Sequence, residues 1–232
     1  MTRRTVARLG AFGLLSSFLR RSTSFAAAKT SAGVSPSEAL SRLGAGNARF
    51  INGALTNQNG VTERRLALAA GQAPFASILS CSDSRVPPEL VFDAKIGDLF
   101  VVRNAGNIVA APVLGTLEYG YDALGVRLIV VLGHEKCGAV SATYDAIRDK
   151  KPLVPNLDVL QRAIEPGIAG VVAAHGSAVQ GGALHAAILA NAKAQAAKLL
   201  DSPVLGPAIR NGACRVVAAD YGFAAGRVDF LT

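Results

Sequence analysis

A chain of 232 residues, half of them apolar and 17% charged, can bury one sizeable core and is too apolar for a solvated, disordered tail. Its net charge of +8 does not mark a nucleic-acid binder. Five arginines and no acid fall within residues 1–28, no basic run follows them, and tryptophan is absent.

Those first residues read as an address. MTRRTVARLGAFGLLSSFLRRSTSFAAAKT has a basic start, an apolar run from Leu9 to Leu19, and small residues at Ala26 to Ala28. This pattern predicts cleavage between Ala28 and Lys29. Thr2-Arg3-Arg4-Thr5-Val6 resembles a twin-arginine export signal, which a receptor reads. We therefore expect residues 1–28 to be a signal peptide, residues 29–232 to be the mature domain, and the protein to be periplasmic or exported. A retained leader, with a cytoplasmic protein, or an organelle transit peptide is the alternative. The apolar run is too short for a membrane anchor, which needs about 20 residues to cross ~30 Å of hydrocarbon.

Further along, Ser35 and Pro36 open a helical pattern reaching Phe50, and a second short helix is expected near Thr62 to Ala70. Phe75 to Leu79, Asp98 to Asn104 and Arg127 to Gly133 are short apolar runs of strand length, with a helical pattern over Val113 to Leu124. Another helix is expected to start near Gly138, and others over about Asn156 to Ile164 and Gln180 to Leu200. Arg215 to Asp220 and Arg227 to Leu231, joined by a glycine-containing turn, predict a terminal hairpin. Buried strands alternating with helices define an α/β domain: a mostly parallel central sheet flanked by helices, with a C-terminal antiparallel edge hairpin.

All three cysteines fall at or beside strand ends: Cys81, Cys137 and Cys214. An odd count rules out complete disulfide pairing. Cys81 follows the strand FASILS, and His134 and Cys137 follow the strand LIVVL. In an open parallel sheet, functional groups gather beyond the carboxyl ends of the strands. Cys81, His134 and Cys137 can thus converge on one metal ion. Two thiolates and an imidazole suit zinc and leave a fourth position open, as catalytic sites do. Two core cysteines beside a chance histidine, or a cysteine nucleophile with a histidine base, remain open readings of the same residues. Asp83 and Arg85 lie on the loop leaving the first strand, where arginine can hold the carboxylate ionised and oriented. His175, His185 and Cys214 lie among small or apolar residues and read as structural.

CSDSRVPPELVFD, GDLFVVRNAGN and GHEKCGAV together resemble the β-class carbonic anhydrases, whose pattern is Cys-x-Asp-x-Arg followed by His-x-x-Cys. The resemblance runs from ALSRLGAGNARFINGAL to GRVDFL, nearly the whole expected mature chain. It implies zinc on Cys81, His134 and Cys137, and an Asp83–Arg85 dyad that orients a zinc-bound hydroxide for hydration of CO2 to bicarbonate. It also implies a substrate pocket drawing on Gln72, the Gly138 N–H, Phe100 and Ala105, and a homodimer or homotetramer. Hydrolysis of CS2 or COS by the same fold, or a non-catalytic anion-binding relative, are the alternatives within this likeness. The bicarbonate-regulated subgroup carries tryptophan three residues before the first ligand, where this chain has Ile78. That departure argues against a regulatory bicarbonate pocket and for a dyad intact at neutral pH.

Overall fold

The computed structural model describes residues 33–175 and 182–231, so the expected leader lies outside the described residues. Five strands form one sheet in the order β2-β1-β3-β4-β5. They are β1 (Ala76–Cys81), β2 (Leu99–Asn104), β3 (Leu128–His134), β4 (Arg215–Tyr221) and β5 (Val228–Leu231). The first four pair in parallel, and β5 returns antiparallel along β4 as the predicted edge strand. Every residue of β1 and β3 is buried, which explains why these runs lack polar alternation.

Helices α1 (Pro36–Ile51), α2 (Val61–Ala67) and α3 (Pro88–Val91) precede or interrupt the first crossover. Ser35 caps α1 by accepting the Glu38 N–H, and Pro36 stands where no N–H is needed. Ala39 and Leu43 of α1 cover one face of the sheet, against Ile78, Val130 and Leu132. The opposite face is covered by α4 (Ala111–Asp122), α5 (Gly138–Arg148), α6 (Asp158–His175), α7 (Gly182–Lys198) and α8 (Leu205–Arg210).

Helix α6 runs well past the predicted end at Ile164, with Pro166 inside it. Proline removes one backbone hydrogen bond there. The buried stripe Ile164, Ile168 and Val172 continues on both sides of it, and this packing carries the helix through. Gly167 makes the α6–α7 approach possible, since a Cβ there would lie 2.6 Å from the Ala194 Cβ. Among the described residues, no helix is long and apolar enough to cross a membrane.

Candidate metal centre

Cys81 ends β1 and His134 ends β3, two neighbouring parallel strands, so both side chains emerge at the carboxyl edge of the sheet. Between His134 and Cys137 the chain reverses through Lys136, held at φ +53°. That turn makes Cys137 the residue preceding α5 and places its sulfur at the helix N-terminus. The Cys81 and Cys137 sulfurs lie 4.0 Å apart. Together with an imidazole nitrogen of His134, all the donor atoms fall within 4.8 Å of one another. All three residues are buried.

The arrangement fits a zinc ion. His134 Nδ1–H donates to the Glu135 carbonyl at 2.8 Å, which leaves Nε2 with a free lone pair. That Nε2 is buried and, among the described residues, has no hydrogen-bond partner. An orphaned acceptor costs free energy unless another group satisfies it. Two sulfurs at ~2.3 Å from a tetrahedral zinc would stand ~3.8 Å apart. The soft donor set disfavours magnesium and calcium.

Hydrogen bonding from Cys137, helped by the Gly106 N–H, lowers the Cys81 thiol against the cost of burial, while the hydrogen bond to Cys81 and burial push Cys137 up. Gly106 N–H lies 3.4 Å from the Cys81 sulfur. Only glycine fits here: φ is +76°, and a Cβ would stand 2.8 Å from Ile164 Cδ1. Buried amides on α7 fix this turn, Asn191 donating to the Gly106 carbonyl at 3.0 Å and Gln195 to Asn191 at 3.1 Å.

Asp83 and Arg85 form a bidentate ion pair, Nε to Oδ1 at 2.9 Å and Nη2 to Oδ2 at 2.8 Å. The Arg85 N–H also reaches Oδ1, at 3.0 Å. The guanidinium holds the Asp83 carboxyl well below the usual carboxylate range, so the group is ionised at neutral pH. Arg103, which sequence reasoning passed over, braces this loop from β2. Its Nε donates to the Cys81 carbonyl at 3.0 Å and its Nη2 to the Asp83 carbonyl at 2.6 Å. The signal for it was a lone cation directly after the apolar run LFVV, within the same strand.

Of the four expected pocket residues, two adjoin the centre. Ala105 precedes Gly106, and exposed Gly138 opens α5 directly after Cys137. Gln72 and Phe100 lie elsewhere in a single chain. Gln72 is exposed ahead of β1, at the opposite end of that strand from Cys81. Phe100 pairs with Ser77, near the start of β1, whereas Asn104 is level with Cys81. Its ring packs on Tyr119 with centroids 6.1 Å apart. His175 is exposed at the end of α6, and His185 stands 3.7 Å from the buried Asp220, so neither is a core histidine. Cys214 is a core thiol, 2% exposed, with burial raising its pKa to about 11.

A parallel sheet with two thiols and an imidazole at its carboxyl edge defines the class. Residues 76–228 match the family model for carbonic anhydrase, and the chain belongs to that family. It is 48% identical to carbonic anhydrase 2 of Mycobacterium tuberculosis over 114 residues, 49% of this chain and 55% of the relative. The match thus spans about half the length of that protein. With a carbonic anhydrase of Pseudomonas aeruginosa it shares 38% identity over 172 residues, 71% of this chain and 76% of the relative. Among solved structures it is similar to the tetrameric β-carbonic anhydrases of the ascomycete Sordaria macrospora. The TM-score is 0.63 at 25% identity, covering 74% of this chain and 88% of the other.

Proposed function

We propose that this protein hydrates CO2 reversibly to bicarbonate and a proton, with zinc held by Cys81, His134 and Cys137. The observation that carries the reading is the buried His134 Nε2, unpartnered among the described residues and facing two adjacent sulfurs. Bound there, zinc would supply a Lewis acid that brings the pKa of a water molecule to ~7. The chain's own residues do the rest. Asp83, ionised and oriented by Arg85, accepts a hydrogen bond from the attacking oxygen and so turns its lone pair toward carbon, while the proton released by the reaction passes to solvent. Arg103 fixes the backbone on which Asp83 stands. The Gly138 N–H and the α5 N-terminus offer a donor and a positive field to developing negative charge. Ala105 lines the apolar side, where an uncharged substrate can dwell.

Gln72 and Phe100 take part only if a second copy brings them, because one chain places them at the far end of β1 and β2. The Sordaria macrospora relatives are tetramers, which supports a homo-oligomer here, a dimer at the least. We further propose that residues 1–28 direct export by a twin-arginine route, which carries folded cargo and so allows zinc loading before exposure to oxidants. Replacing Arg3 and Arg4 with lysine is then expected to retain the protein inside the cell, and unchanged export would refute this.

The activity test is stopped-flow CO2 hydration on the zinc-loaded chain, before and after chelation. Activity that follows zinc content supports the reading. Zinc binding without hydration, or hydration by the stripped protein, contradicts it.

A further inference from the structure

Phe223 belongs to none of the motifs that mark the centre, yet it touches two of its parts. It stands in the turn between β4 and β5, partly buried. The Arg85 guanidinium carbon lies 4.0 Å from its ring centroid. The His134 ring lies 5.4 Å away, centroid to centroid, tilted by 53°. Tyr221 closes on it edge-on at 5.7 Å.

The turn that carries this ring is pinned to the metal-ligand loop. Glu135 accepts the Phe223 N–H on its carboxylate at 2.9 Å. Its own N–H donates to the Tyr221 carbonyl at 3.0 Å, and Gly222 N–H closes the turn on Arg227 at 2.9 Å. The Glu135 carbonyl is also the group that takes His134 Nδ1–H. One residue therefore fixes the imidazole and, through Phe223, the platform under Arg85.

Arg85 needs that platform. Its side chain is 55% exposed. Among the described residues its hydrogen bonds go to Asp83 alone. An exposed ion pair leaves both side chains much freedom. A guanidinium lying over an aromatic face is held by the ring quadrupole and by stacking, and loses much of that freedom. We propose that Phe223 is a positioning residue: its ring holds the Arg85 guanidinium in place, which keeps Asp83 engaged by arginine and off the metal. Its kinetic consequence rests on the carbonic anhydrase reading, whereas its effect on the metal's fourth ligand does not.

Cobalt(II) in place of zinc reports that fourth ligand through its visible absorption. Phe223→Leu and Phe223→Met remove the ring and keep apolar volume, whereas Phe223→Trp keeps an aromatic face. Both non-aromatic variants of the full chain are expected to bind stoichiometric cobalt with a spectrum shifted toward a carboxylate-bound form. Adding Asp83→Asn to Phe223→Leu is expected to abolish the shift. For CO2 hydration, kcat/KM is expected to fall about three- to tenfold in both variants and to recover to within about twofold in Phe223→Trp. Unchanged spectra in both non-aromatic variants would overturn the proposal. So would a tryptophan variant as impaired as the leucine one, or loss of cobalt binding in both non-aromatic variants, since the ring would then be structural only. A wild-type protein without hydration activity would count against the carbonic anhydrase reading and leave the spectra to decide the role of Phe223.

Discussion

Asp93 and Asp83 each face an arginine, but their surroundings differ in kind. The Asp93 side chain is 0% exposed. Besides Arg49 Nε, its oxygens accept the Thr56 N–H at 2.7 Å, the Thr56 hydroxyl at 2.8 Å and the Asn57 N–H at 2.7 Å. These donors come from α1 and the loop after it, so the carboxylate ties distant segments together. Among the described residues the Asp83 carboxylate takes hydrogen bonds from Arg85 only, two residues away, and Arg85 is half in solvent. The two pairs differ in the number of segments they join, and not in the pairing itself. Asp93 is stitched into the fold. On the proposed function, Asp83 is held ready two residues beyond Cys81, at little cost to the fold if it is lost.

Breaking the centre itself should have the largest effect. Cys81→Ser removes a thiolate, and zinc affinity is expected to fall by more than roughly 100-fold, read by competition with a chelator. Retained affinity would show that the sulfurs are core thiols after all. Asp83→Asn keeps the shape of the loop and removes the ionised acceptor. Its hydration rate is expected to drop roughly 100-fold, with zinc content unchanged and thermal midpoint nearly so.

Asp93→Asn should do the reverse. The variant is expected to lose about 2–3 kcal/mol of stability in urea titration, because a buried network loses its charged acceptor. Its hydration rate, measured well below the melting temperature, should match the wild type. A rate loss as large as that of Asp83→Asn would erase the distinction between the two pairs.

Acid sharpens the same contrast more gently. Burial raises the Asp93 pKa, but Arg49, Thr56 and the N–H groups of residues 56 and 57 outweigh it and bring it to about 2. A group with a depressed folded pKa contributes stability that is present above its unfolded value, ~3.9, and is lost as pH falls through the folded one. The wild type should thus lose its advantage over Asp93→Asn between about pH 4 and pH 2. A constant gap across that window would place the stabilisation elsewhere.

Much of the centre was legible because its ligands follow the apolar runs that end as β1 and β3, so the topology brings them to one edge. The hairpin was legible from the glycine-containing turn before Arg227. The supports were not. Arg103, Glu135 and Phe223 act through contacts between segments far apart in the chain, and no local pattern distinguishes Phe223 from any other partly buried aromatic. Gln72 and Phe100 came from the family resemblance, and one chain places them at the far end of β1 and β2 from Cys81. Lys136 gave no sign of its left-handed conformation, since lysine is not a residue that favours it. Helix α6 was read too short because Pro166 is a strong local breaker, and only the stripe Ile164, Ile168 and Val172 shows that packing prevails.

The central claim is that Cys81, His134 and Cys137 hold a zinc ion on which Asp83 acts. The most direct test is zinc analysis and CO2 hydration on the same preparations of wild type, Cys81→Ser and Asp83→Asn. The account predicts stoichiometric zinc and activity in the wild type, zinc without normal activity in Asp83→Asn, and neither in Cys81→Ser. Equal hydration rates in all three would contradict it.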